Sequence, residues 1–172
     1  MTQSVYTVEF LWSRTVWIIT SLYFLFAVTL ISLLIYTMVI GGVVAGIIGL
    51  VIALPILLGI LIYCEGYSPQ RLELWSDRVV ILRRYDSITI YRDDILSITA
   101  LASKDLRGIY NIGGCGGLFG YFGSFTNRGL GQFSMYATEM RNLFLVRLKS
   151  GKKVVINCSE PKKIESFIAV SE

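Results

Sequence analysis

Between Thr15 and Cys64 the chain runs for 50 residues without an Asp, Glu, Lys or Arg. A soluble core has no need of so long a charge-free stretch. As one helix it would measure about 75 Å, against a bilayer core of about 30 Å. Two crossings fit. Gly41 and Gly42 supply a turn, which predicts helices over about 16–40 and 43–63 and a tight antiparallel hairpin with both chain ends on one side. Residues 1–14 then form a short segment before the hairpin. A cleaved signal peptide does not fit: the first apolar run is about twice the usual apolar length and lacks a small-residue cleavage site before a polar mature start.

Positive charge near membrane ends sets orientation. Arg14 precedes the first helix, Arg71, Arg78, Arg83 and Arg84 follow the second, and the turn between the helices carries no opposing charge. Both ends are therefore expected on the cytoplasmic side, with Trp12, Trp17, Tyr63 and Tyr67 as interfacial anchors. Cys64, Cys115 and Cys158 are an odd set without CxxC spacing, unlike an extracellular disulfide framework. The chain contains no His, the commonest transition-metal ligand and neutral-pH acid/base group. Neither a metal site nor a cofactor is expected.

In the second apolar run Gly42 and Gly46 form a GxxxG, followed by Gly49. Small residues so spaced let another backbone approach, either within the hairpin or from a second copy. Pro55 is expected to kink the helix, which membrane helices tolerate. Neither helix has an ionisable pathway residue, and the first offers only Thr and Ser as polar groups, which argues against an oligomeric channel.

From Glu65 onward the 108 residues hold 15 of the 16 basic and 11 of the 12 acidic residues. Their pattern is β-rich. Strands are expected in Arg71–Trp75, Val79–Leu82 and Ser87–Tyr91, separated by turns at Ser76-Asp77 and Tyr85-Asp86. Leu143–Leu148 and Val154–Ile156 flank the turn Lys149-Ser150-Gly151-Lys152. The period then changes: Ser159 can cap a helix with Pro161 in its first turn and Ile164, Phe167 and Ile168 on one face. The fold class is thus membrane-anchored α+β, a two-helix hairpin followed by a small antiparallel barrel or bent sheet with a C-terminal helix over its open end.

Three stretches carry a resemblance: Gly116-Gly-Leu-Phe-Gly-Tyr-Phe-Gly123, Gly131-Gln-Phe-Ser-Met-Tyr-Ala137, and Lys153-Val-Val-Ile-Asn157 with Glu160-Pro161 leading into the helix. Over roughly residues 66–170 the chain resembles the bacterial pleckstrin-homology-like (PH-like) domain membrane proteins. The resemblance implies a partly open barrel capped by a helix and no known enzyme activity; together with the two crossings, a bacterial plasma membrane location is expected. It does not imply phosphoinositide binding, since the first hairpin turn, Ser76-Asp77, has only Arg78 beside it in place of a basic cluster.

The least ordinary segment is 108–131, with nine of the 16 glycines, five aromatics and no charge from 108 to 127. A third crossing fails because seven glycines in that interval each cost about 1 kcal/mol in a helix interior. Nucleotide binding fails because GxGxxG is absent and Gly151-Lys152 lacks the rest of a P-loop. Two readings remain: an insertion packed over the domain, or a loop offering Phe119, Tyr121, Phe122 and Phe125 to the bilayer interface or a partner. Asp93 and Asp94 are adjacent and end a strand rather than form a carboxylate pair. Lys149, Lys152, Lys153, Lys162 and Lys163 form a basic group, either a solvated hairpin tip or a contact for anionic lipid. A pI near 9.0 is weak support for nucleic acid, which is not expected as a partner.

These features predict a non-enzymatic module, integral to the bilayer, that docks on a protein, on lipid head groups or on copies of itself, through the four aromatics first and the lysines second. The catalytic alternative is a membrane enzyme, or enzyme subunit, using Cys115 as nucleophile, though the chain has no His to act as base.

Overall fold

The computed structural model describes residues 6–169. A short strand, β1 (Tyr6–Glu9), precedes two long helices, α1 (Arg14–Ile40) and α2 (Val43–Tyr67). Ser13 caps α1, its hydroxyl accepting the Val16 N–H at 3.3 Å. At the turn Gly42 takes φ 128°, a conformation that favours glycine. Both helices are long and apolar enough to cross a membrane, and 6% and 11% of their most apolar windows are buried, far too little for core helices of a soluble fold. The glycine face of α2 packs inside the hairpin: a Cβ on Gly46 would fall 2.0 Å from Met38 Cγ, and one on Gly49 2.7 Å from Leu34 Cδ2. The second helix continues past residue 63 to Tyr67 and carries Glu65, whose carboxylate pairs with Arg84.

Behind the helices come β2 (Pro69–Leu74), β3 (Arg78–Arg83) and β4 (Ser87–Tyr91), an antiparallel meander joined on its outer side by β1. Tyr6 lies opposite Leu74 and Glu9 opposite Arg71, so the strand before the helix pair and the strand after it are neighbours. Residues 1–14 are thus partly strand. The sequence hid this because β1 is short and its partner lies beyond both helices. Asp93 and Asp94 occupy a 3-10 turn, Arg92–Asp94, that leads into the second sheet.

That sheet has six strands: β5 (Ile95–Leu101), β6 (Tyr110–Gly116), β7 (Tyr121–Asn127), β8 (Gly131–Ala137), β9 (Leu143–Leu148) and β10 (Lys153–Asn157), in the order β5-β9-β10-β8-β7-β6. All pairs are antiparallel except β10 with β8. The glycine-rich segment is not an inserted loop. It forms β6, a tight turn, β7 and the start of β8. Gly114 and Gly123 face each other across β6 and β7 with φ near 114° and 111°, and a Cβ on Gly114 would lie 2.2 Å from the Phe122 carbonyl oxygen. The glycines are there because two backbones come too close for side chains.

Strand alternation divides the core in two. Phe144, Val146, Val154 and Ile156 face the four-stranded sheet and meet Leu72, Leu74, Val79 and Ile81. Leu143, Leu145, Val155, Phe133 and Met135 point the other way, toward Val16 at the start of α1. Burial on both faces accounts for the near-continuous apolar runs in β9 and β10. Helix α3 (Pro161–Ala169) sets Ile164 and Phe167 into the first of these cores. The third expected apolar position, Ile168, lies outside the residues whose side chains are described. Ser159 does not cap this helix with its hydroxyl, which donates to the carbonyl of Glu9 at 3.3 Å.

Candidate functional site

The turn between β6 and β7, Gly117-Leu118-Phe119-Gly120, is closed by a 2.8 Å hydrogen bond from Gly117 N–H to Gly120 C=O. Phe119 takes φ 60°, the left-handed region a large side chain avoids at a cost of about 1 kcal/mol or more. This conformation seats the turn on the roots of the two long helices. Phe119 N–H donates to the Thr20 hydroxyl at 3.2 Å, and the Ser68 hydroxyl donates to Phe119 C=O at 2.7 Å. Gly117 sits against α1, where a Cβ would lie 2.4 Å from Ile19 Cδ1. One four-residue turn therefore binds both helices to the six-stranded sheet.

Aromatic rings fill the joint. Trp12 packs edge-on to Trp17 at 5.0 Å and to Phe119 at 5.4 Å, and Tyr63 lies 6.2 Å from Phe122. The Arg83 guanidinium sits between the rings of Tyr67 and Tyr136, 5.3 and 5.5 Å from their centroids, while ion-pairing with Asp86. It joins the end of α2 to both sheets. Deeper in the joint, Cys64 of α2 directs its thiol to Cys115 of β6, with 3.1 Å between the sulfur atoms. Cys115 is held below the ordinary thiol range, first by the hydrogen bond with Cys64. Burial opposes this, and backbone hydrogen bonds at Leu118, Gly117 and Gly116 assist it.

This geometry corrects the expected surface. Phe119, Tyr121, Phe122 and Phe125 are all buried, Phe122 and Phe125 at 2% exposure. Phe125 stacks on Phe133 at 6.2 Å inside the second core. They are not a free aromatic loop, because the segment that carries them is paired strand and tight turn. Burial also raises the Tyr121 phenol above its ordinary range. Cys115 is equally interior and faces a second thiol rather than a base.

The five lysines separate. Lys153 reaches back to Leu130 C=O, and Lys163 binds Glu160 at 2.8 Å and approaches Thr7 C=O at 3.4 Å. Lys162 is exposed on α3. Lys149 and Lys152 are exposed at the turn joining β9 to β10. That turn lies at the other end of β9 and β10 from the start of α1. The opposite ends of β8 and β10 are tied to the start of α1 through Thr138, whose N–H donates to Asn157 Oδ1 at 3.0 Å, whose hydroxyl donates to Leu11 C=O at 2.8 Å, and whose carbonyl accepts Ser13 N–H at 3.3 Å. The intervening length of β9 is about 17 Å.

Beside the start of α1 lies an open cavity of about 700 Å³, walled by Trp12, Arg14, Tyr121, Glu139 and Arg141 among others. It carries two guanidinium groups and one carboxylate, with Arg141 and Glu139 3.8 Å apart. No local pattern marks this place, because Arg14 and Arg141 stand far apart in the chain. The only signal was the positive charge at the first helix start.

A family model described as "Bacterial PH domain" matches residues 70–171, more than half of the 172-residue chain. Among curated proteins and among solved structures there is no match.

Proposed function

The chain belongs to the bacterial PH domain family, and from that premise we propose that it is a non-enzymatic interaction module anchored in the bacterial plasma membrane, presenting its PH-like domain at a fixed attitude to the cytoplasmic surface. The observation that carries this reading is the seat of the Gly117–Gly120 turn on both apolar helices. A domain tethered for mere proximity needs a flexible linker, whereas here the Phe119 N–H donated to Thr20, the Ser68 hydroxyl donated to Phe119 C=O and a packed aromatic joint support a fixed orientation. The positive charges at the helix ends favour the cytoplasmic side.

The exposed pair Lys149 and Lys152, at the end of the domain away from the helices, favours an acidic protein surface as partner. The test is a photocrosslinker placed at Lys152 in native membranes, followed by mass spectrometry of the adducts. A defined protein adduct that disappears in a Lys149→Glu/Lys152→Glu variant supports the reading. Adducts to lipid alone, or none, overturn it. Lipid head groups are a second reading, favoured by the cavity between Arg14 and Arg141, which lies where head groups would sit if α1 crosses the bilayer. Co-purification of anionic lipid, lost on Arg14→Gln/Arg141→Gln, tests it.

A further inference from the structure

We propose that Cys64 and Cys115 form a redox-active thiol pair that peroxide oxidises to a disulfide, fastening the six-stranded sheet covalently to the second apolar helix. The two residues are 51 positions apart and come from different parts of the fold, one from the end of a membrane-type helix and the other from an edge strand. Their sulfurs are 3.1 Å apart, and a disulfide requires about 2.05 Å. A shift of about 1 Å in the sulfur separation would close the bond.

Three further features fit this chemistry. Cys115 is positioned by its 3.1 Å contact with Leu118 C=O in the same turn that grips the helices. The Cys64 thiol donates to the Cys115 sulfur at 3.1 Å, and this hydrogen bond, against the opposing effect of burial, holds Cys115 below the ordinary thiol range and favours the thiolate, the form that attacks an oxidant. Both thiols are buried, at 5% and 7% exposure, so an oxidant as small as hydrogen peroxide has an advantage over bulky disulfides. Cys158 stands apart, its sulfur 3.2 Å from Glu160 C=O and packed into the first core.

The step balances as follows. The Cys115 thiolate attacks one peroxide oxygen, the O–O bond breaks, and hydroxide leaves and takes up a proton as water, giving Cys115 sulfenic acid. The Cys64 sulfur then attacks the Cys115 sulfur. The S–O bond breaks, the S–S bond forms, and the departing hydroxide takes the Cys64 proton as a second water. Two thiols lose two electrons in all, and one peroxide gains them. The Gly117–Gly120 turn, held in the reduced protein by hydrogen bonds and packing, then cannot lift from α2. This step does not depend on which partner the domain binds.

The test uses the full chain in detergent micelles or lipid nanodiscs. The protein is exposed to graded hydrogen peroxide, quenched with an alkylating reagent, digested without reductant and mapped by mass spectrometry. A linked peptide pair containing Cys64 and Cys115, reversed by reductant and formed at roughly tenfold lower peroxide than any oxidation of Cys158, supports the proposal. Oxidation should also slow amide exchange in the 117–120 turn. Cys115 proceeding to sulfinic acid while Cys64 stays alkylatable, or a linkage through Cys158 or between chains, overturns it. Cys64→Ser and Cys115→Ser should each abolish the link. The mapping of the unaltered protein stands even if either variant fails to fold.

Discussion

The backbone N–H of Phe119 donates to the hydroxyl of Thr20 across 99 residues of sequence, joining a left-handed turn in the domain to the second turn of the first apolar helix. Thr20 is itself buried. The bond lies among packed rings rather than in solvent, so its loss leaves a buried polar group unpaired, at a cost of about 1–3 kcal/mol.

The turn tolerates no side chain at Gly117. Its φ of 129° is strained for any other residue, and a Cβ would press on Ile19. Ile19 can rotate away, so the backbone term decides. Gly117→Val should destabilise the protein by about 2 kcal/mol or more. Thermal unfolding in detergent checks the magnitude, and new protease cleavage within 117–120 would show that the turn has lifted.

Phe122 is core, so truncating it should act on folding before it acts on binding. Phe122→Ala is expected to cost about 3–5 kcal/mol. Lys149→Glu/Lys152→Glu, at an exposed turn, should leave the melting temperature nearly unchanged. Melting curves of the two variants side by side distinguish core from surface.

Gly46 lets α2 approach Met38 and Leu34 of α1. Gly46→Leu should therefore lower the stability of the helix pair without altering the number of chains per particle. Light scattering in detergent reports the latter. A change in oligomeric state with unchanged stability would instead place this glycine in a seam between copies.

Asn157 and Thr138 are both buried, and the Asn157 carbonyl oxygen accepts the Thr138 N–H. Asn157→Leu removes that acceptor and should cost about 1–3 kcal/mol. Because Thr138 also holds Leu11 and Ser13, amide exchange at Ser13 should accelerate more than exchange at the Lys149–Lys152 turn.

Burial raises the Cys158 thiol above its ordinary 9.0, with smaller contributions from its neighbours. The folded state thus holds this proton more tightly than the unfolded chain. The resulting stabilisation is complete below the ordinary thiol range and is lost as pH rises through the raised value. Alkylation of Cys158 at pH 8 should be much slower than that of a free thiol, and denaturant should restore the ordinary rate.

Legibility followed side-chain pattern. The apolar helices, β2 to β4, β9 and β10 advertise themselves through charge-free length or alternation, and Gly41-Gly42 marks the turn between helices. Strands β6 and β7 are unreadable because Gly113, Gly114, Gly116 and Gly123 supply no hydropathy to alternate. The aromatics among them consequently looked like a loop. Strand β1 and the Cys64 and Cys115 contact are relationships between distant positions, and no local window contains both halves. The family resemblance was carried by the very glycine stretch whose structure could not be read.

The pairing of β1 with β2 has one more consequence. The two helices are spliced into what would otherwise be an ordinary β-hairpin, entering from one strand and returning to its neighbour. Excising 14–67 and bridging the cut ends with a short turn would restore that hairpin, but it would also strip Phe119, Phe122 and Cys115 of the helix residues that cover them. In the intact chain the same splice makes two stays instead of a single leash, and any tilt of the helices must swing the whole module with it.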